Sequence, residues 1–226
     1  MYFYVNQTDY PHVSYPTLTS IPELTRWDST VRSAGCGLCS ASMVVTNLTG
    51  KMFPLIDCLE LSLAVNANHS PGTDMDRLAP YVAERFDLDL VMTDDPELLR
   101  GHLMAGGMAI ANASGDRPED GHIGVFSHGG HYVAVVKIQE DGEHVVVLDP
   151  SQVPGKYLEE GRRDKVIVNG FCLHTTMEVL AEDCKFRRPE CYPEGEFKAW
   201  LESVGQRETH NRYYLFRQKA VDGEAV

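Results

Sequence analysis

Three residues in this chain are of types, and in settings, that support acyl chemistry at a thiol: Cys36, His131 and Asp149. Cys36 stands in Ser33-Ala34-Gly35-Cys36-Gly37-Leu38-Cys39-Ser40, where a glycine-flanked loop passes into a stretch of helical period. The unpaired N–H groups and positive end of a helix start favour thiolate over thiol, which is what turns a cysteine into a nucleophile. The small neighbours leave room for a substrate backbone to approach. A single Cys at a helix start is also an ordinary packing residue, so the reading depends on partners. His131 opens the apolar run through Ile138 behind Gly129-Gly130, which predicts a strand start facing a cleft. Asp149 ends the next apolar run, His144 to Leu148, just before Pro150. Glu140-Asp141-Gly142 between the two runs is a hairpin signal. The hairpin brings His131 and Asp149 to the same end of neighbouring strands, where the acid can hold the imidazole in its reactive tautomer.

The elements that must position these groups are legible in outline. Leu38, Ala41, Val44, Val45 and Leu48 recur at helical spacing, and Gly50 closes that helix. Further helices are expected from Pro54 to Val65, from Met75 to Arg85 behind Gly72-Thr73-Asp74, and from Asp95-Pro96-Glu97 to about Gly106. Met108 to Ala111, Tyr132 to Ile138, His144 to Leu148 and Arg212 to Arg217 read as strands, and Thr175-Thr176-Met177-Glu178 as a capping box opening a late helix. The first thirty residues read as an irregular arm. Helices first and an antiparallel sheet second is the α+β pattern. The whole chain, 1–226, is taken as one domain, with a helical half over about 30–106, a sheet half over about 107–217 and a tail over 218–226.

Gly35-Cys36-Gly37 opening a helix, followed by Gly130-His131-Tyr132-Val133-Ala134-Val135 and Val147-Leu148-Asp149-Pro150, resembles the papain-fold cysteine peptidases related to the bacteriocin-leader-processing (double-glycine) peptidases. The resemblance covers roughly residues 4 to 150. It implies a papain-like α+β fold and cleavage of an amide bond through a thioester, with no metal or organic cofactor. It further implies that Gln7, in Tyr4-Val5-Asn6-Gln7-Thr8-Asp9-Tyr10, joins the Cys36 backbone N–H in binding the oxyanion. The chain departs from many relatives at Gly37-Leu38, where they carry Gly-Pro.

Composition narrows the partners. With 20 Lys and Arg against 33 Asp and Glu, the formal net charge is −13, a field that repels phosphate backbones and anionic lipid. The expected partner is therefore a peptide or protein substrate, not nucleic acid or a membrane. The N-terminus has neither the basic nor the apolar region of a secretory signal, no run approaches transmembrane length, and six Cys are too few for a disulfide scaffold. A reducing, cytoplasmic setting is expected.

Other motifs compete. Cys36-Gly37-Leu38-Cys39 is a C-x-x-C, but thiol oxidoreductases place it after a strand in a βαβ unit. Cys172, His174, Cys184 and Cys191 have zinc-ligand atoms at a spacing that matches no familiar site. The glycine-rich stretch around His122 and His128 reads either as a substrate gate or as a solvated loop. Glu159 to Asp164 reads as a solvated charge run. An acyltransferase, a deamidase, a non-catalytic binding module and a thiol-redox protein are the alternatives to a hydrolase.

Overall fold

The computed structural model describes residues 1–19, 22, 25–118, 120–185 and 212–219. The helices of the first part are α1 (Val31–Ala34), α2 (Cys36–Thr49), α3 (Leu55–Ala64), α4 (Met75–Phe86) and α5 (Pro96–Met104). Local chemistry sets their ends. Asp74 accepts the Arg77 N–H at the start of α4, and Asp95 accepts those of Glu97 and Leu98 at the start of α5, with Pro96 at its first position. Gly50 closes α2 in the left-handed conformation, φ 70°, where a side chain would strain the backbone.

The strands are β1 (Leu88–Thr93), β2 (Met108–Ala113), β3 (His131–Ile138), β4 (His144–Leu148), β5 (Ile167–Asn169), β6 (Cys172–Thr176) and β7 (Tyr213–Gln218), with α6 (Met177–Asp183) between the last two. They form one antiparallel sheet of seven strands in the order β1-β7-β2-β3-β4-β6-β5. Mixed helix and antiparallel sheet is the α+β class. The division into halves near residue 106 needs correcting, because β1 lies inside the expected helical half and pairs along its length with β7. The last strand is therefore not an edge but sits between β1 and β2. The expected capping box is displaced as well. Thr176 is the N-cap and accepts from Val179 N–H, while Thr175 belongs to β6 and donates to the Lys165 carbonyl. Most of the expected tail lies outside the described residues.

Both faces of the sheet are covered, which explains the unbroken apolar runs in β3 and β4. Ile110, Ala134, Val136, Val146, Leu148 and Phe216 pack against α1 to α4, and Val133, Val135, Val145, Val147 and Leu215 pack with α5 and α6 on the other side. Each such side chain, removed from water, contributes about 1.5–3 kcal/mol before entropy is counted. A bulge between Val135 and Lys137 shifts the register of β3 on β4. Past it Lys137 turns to solvent and Ile138 takes the inward place on the α5–α6 side.

Candidate active site

The turn chemistry of the β3–β4 hairpin sets the first half of the site. Gly142, at φ 68°, donates to the Gln139 carbonyl. From there Ala134 pairs with Leu148, so by the same register Asp149 falls opposite Val133, one diagonal step from His131. The two side chains meet: His131 Nε2 lies 2.7 Å from Asp149 Oδ1. That leaves Nδ1 for the second half of the site, the start of α2, which packs over β3. There the Cys36 thiol faces the His131 imidazole and the backbone N–H groups of Tyr132 and Gly37, which act on it electrostatically. Cys36 is half-buried, His131 is buried and Asp149 is entirely enclosed.

Electrostatics follow from this packing. Burial pushes the Cys36 thiol up, but the His131 hydrogen bond, its charge and the two backbone donors outweigh it, and the net direction is down. Burial opposes the imidazolium, yet Asp149 and Cys36 raise His131 from 6.5 to about 9. Asp149 is desolvated but held well below the usual carboxylate range by His131 and Lys156. Both shifts favour a thiolate–imidazolium pair, which is the reactive form of a thiol nucleophile.

The sign of the linkage gives a test. His131, raised, contributes stability present below 6.5 and lost as pH rises through about 9. Cys36, lowered, contributes stability present above its ordinary 9.0 and lost as pH falls through its folded value. As pH rises from 6.5 toward 9 the His131 contribution falls while the Cys36 contribution rises, so the two slopes oppose each other. Thermal melts of the native chain should therefore depend less steeply on pH across this window than those of Cys36→Ala. In Cys36→Ala only the His131 slope remains, and the melting temperature should fall as pH rises above 6.5.

Gln7 lies in a 3-10 turn, Gln7–Asp9, and ties the two halves together. Its backbone N–H donates to the Pro150 carbonyl at 2.7 Å, beside Asp149. Its side-chain Nε2 donates to the Arg32 carbonyl at 2.7 Å, in the helix that precedes Cys36. Gln7 is 8% exposed, and the second hydrogen of its amide is not used by Arg32.

The glycines around Cys36 have a packing reason that the reading of open space beside the nucleophile did not include. A Cβ on Gly37 would lie 2.7 Å from Thr73 Cβ, and one on Gly35 would lie 2.6 Å from the Val31 carbonyl oxygen. Gly129 and Gly130, by contrast, have nothing within 4 Å, so the open approach is on the His131 side. Gly37→Ala should cost about 1–3 kcal/mol of stability by overpacking, read as a lowered melting temperature with slower Cys36 alkylation.

Several groups at the site carry no local sequence signal. Lys156 Nζ and Tyr157 OH each lie 2.6 Å from Asp149 Oδ2. Ser151 donates its N–H and Oγ–H to Oδ1, and Tyr4 OH donates to the Asp149 carbonyl. Tyr4 and Tyr157 also wall a cavity of about 660 Å³, with Asn6, Gln152, Val168 and Phe171 among its lining. The stretch before His131 is tied down through its first part. Asp183 accepts from Val125 and Phe126 N–H and pairs with His122, and Arg117 reaches Glu182. Arg162, expected on a solvated face, is 3% exposed and donates to the Gly124 carbonyl.

Cys39 faces the core, fully buried, with its thiol pushed well above its ordinary value by burial and the Cys36 charge. The element before Cys36 is the helical turn α1, not the strand that a redox C-x-x-C has. Of the zinc-type set, Cys172 packs toward the α1–α4 side of the sheet and Cys184 belongs to the core on the other side, while Cys191 lies outside the described residues. No family model and no curated protein matches the chain. Among the described residues, no helix is long and apolar enough to cross a membrane.

Proposed function

We propose that the chain is a thiol-dependent amide-bond hydrolase of papain-like fold, a cysteine peptidase resembling the leader-processing family, with Cys36 as nucleophile, His131 as base and acid, and Asp149 as the group that orients His131. The observation that carries this reading is the 2.7 Å contact of His131 with the buried Asp149 on one side and its electrostatic coupling to Cys36 on the other, which lowers the thiol and raises the imidazole. In the reaction, Cys36 Sγ attacks the substrate carbonyl carbon and the oxyanion is met by the α2 amide and Gln7 Nε2. His131 gives its proton to the leaving amine as the C–N bond breaks, leaving a thioester. It then takes a proton from water, whose oxygen attacks the thioester and releases the acid and the Cys36 thiolate. The same intermediate met by an amine would make an acyltransferase, and a side-chain amide as substrate would make a deamidase. The apolar wall of the cavity suits an aliphatic or aromatic side chain of a peptide. A reducing cytoplasmic setting would keep Cys36 in its active state.

The test is iodoacetamide labelling of the native chain from pH 5 to 9, with mass spectrometry reporting each Cys. Cys36 should be modified first and already rapidly at pH 6, ahead of the part-exposed Cys172. If Cys36 reacts no faster than Cys172 at any pH, the hydrolase reading fails and a binding module becomes the better account. A peptide screen with the Cys36→Ala chain as control then separates hydrolysis from acyl transfer by the product released.

A further inference from the structure

Lys156 opens the 3-10 turn Lys156–Leu158, directly after Gly155, and is 8% exposed. Burying an ammonium group is costly unless it is paired and hydrogen-bonded. Here Nζ reaches Asp149 Oδ2 at 2.6 Å and Ser151 Oγ at 2.7 Å, and that hydroxyl lies 3.1 Å from His131 Nε2. One buried carboxylate is thus shared by two cations, with His131 on Oδ1 and Lys156 on Oδ2. The second cation is not needed to hold the acid in place, since the Ser151 N–H and Tyr157 OH already do so. Its charge changes the chemistry. A carboxylate with His131 as its sole cation would raise the affinity of the imidazole for its second proton, the one on Nδ1 that the reaction requires His131 to give up. Two cations on one anion also leave an excess positive charge that a Cys36 thiolate neutralises.

We infer that Lys156 is a positioning residue that acts through Asp149 and Ser151 to set the pH window in which the Cys36–His131 pair is charged and His131 can still release its proton. This rests on the reading of Cys36 as the nucleophile. Removing the Lys156 charge withdraws positive potential from both members of the pair. His131 then keeps its proton to higher pH and Cys36 ionises at higher pH, so both limbs of the profile move alkaline. A purely structural role gives a different sign: with Asp149 loosened, His131 loses its anion and the alkaline limb moves acid. The other groups facing this cluster come from several elements: Tyr4 and Asp9 on the N-terminal arm, Cys39 on α2, Tyr132 on β3, and Tyr157 and Arg162 beside the turn. The Tyr4, Tyr132 and Tyr157 hydroxyls and the Cys39 thiol are all pushed up and stay protonated through neutral pH. Asp9 and Arg162 are untouched by the substitution.

The experiment is the rate of Cys36 alkylation against pH, from 5 to 10, in the native chain, Lys156→Met and Lys156→Arg. In Lys156→Met the His131 limb should move alkaline by about half a unit to two units, the range Coulomb's law gives for charges one hydroxyl apart as the dielectric falls from water-like to protein-like, and the Cys36 limb should move the same way by less. Lys156→Arg should restore the native profile. Limbs that stay in place, or an alkaline limb that moves acid, would overturn the assignment. If Lys156→Met does not fold, Asp149→Asn is compared with Asp149→Asn/Lys156→Met, in which neither buried charge is stranded. The double variant should have both limbs alkaline of the single one, and coincident profiles would again overturn the assignment. A native chain without fast, His131-dependent alkylation sinks the nucleophile reading itself, a result distinct from a native profile that Lys156 fails to move.

Discussion

His131→Ala should slow alkylation of Cys36 at pH 6 by about ten- to thirtyfold, and hydrolysis of a cleaved peptide by about ten-thousandfold. An ordinary thiol is only about 0.3% thiolate at pH 6. A thiolate held by an imidazolium is ionised in most molecules. The population gain is partly cancelled because a thiolate of lower pKa is a weaker nucleophile, with a Brønsted slope of about 0.4–0.5. Without His131, burial is the largest influence left on Cys36 and pushes its thiol up. Hydrolysis loses far more than alkylation because iodide leaves without a proton, whereas an amine needs the one His131 supplies. The gap between the two readouts is therefore itself expected. An alkylation rate at pH 6 equal to that of the native chain would show that the thiol owes nothing to His131.

Asp149→Ala should be the most destabilising change at the site, costing about 3–5 kcal/mol and lowering the melting temperature by roughly 6–20 °C at pH 7. The carboxylate is fully buried and receives donors from His131, Ser151, Lys156 and Tyr157. Its removal leaves the buried Lys156 ammonium without its counter-ion and the Tyr157 hydroxyl without an acceptor. Because the folded Asp149 is held well below the usual carboxylate range, its contribution is present above the unfolded value, about 3.9, and is lost only as pH falls through the folded one. The difference between the native chain and Asp149→Ala should therefore persist undiminished down to about pH 4. Thermal melts by circular dichroism at pH 4, 5 and 7 check this. A difference already gone at pH 5 would mean that Asp149 is not the anion of a buried cluster. Asp149→Asn, which keeps the shape and one acceptor, should cost less than Asp149→Ala.

Helix ends and the His131–Asp149 pair were readable in the sequence because their determinants are local. Asp74, Asp95, Pro96 and Gly50 act within a turn of themselves. The hairpin at Gly142 carries His131 and Asp149 together across a short loop. Strand β1 was missed because Leu-Asp-Leu-Val-Met-Thr is a part-exposed edge, and its partner β7 lies far along the chain. The short β5 and the mixed-polarity β6 were missed for a similar reason, since their pairing supplies what their composition does not.

The sequence by itself thus determined the residue types of the candidate site, the helix start under Cys36 and the hairpin under His131 and Asp149, since each depends on neighbours a few positions away. Only the tertiary structure decided how the two halves meet: Gln7 bonded to the carbonyls of both Arg32 and Pro150, and α2 laid over β3. It also decided the setting of the acid. A lysine after a loop glycine reads as solvated, and Lys156 is buried because the N-terminal arm and the turn after β4 close around Asp149. Burial and charge pairing depend on every chain segment that reaches the site, and no short stretch of sequence carries that sum.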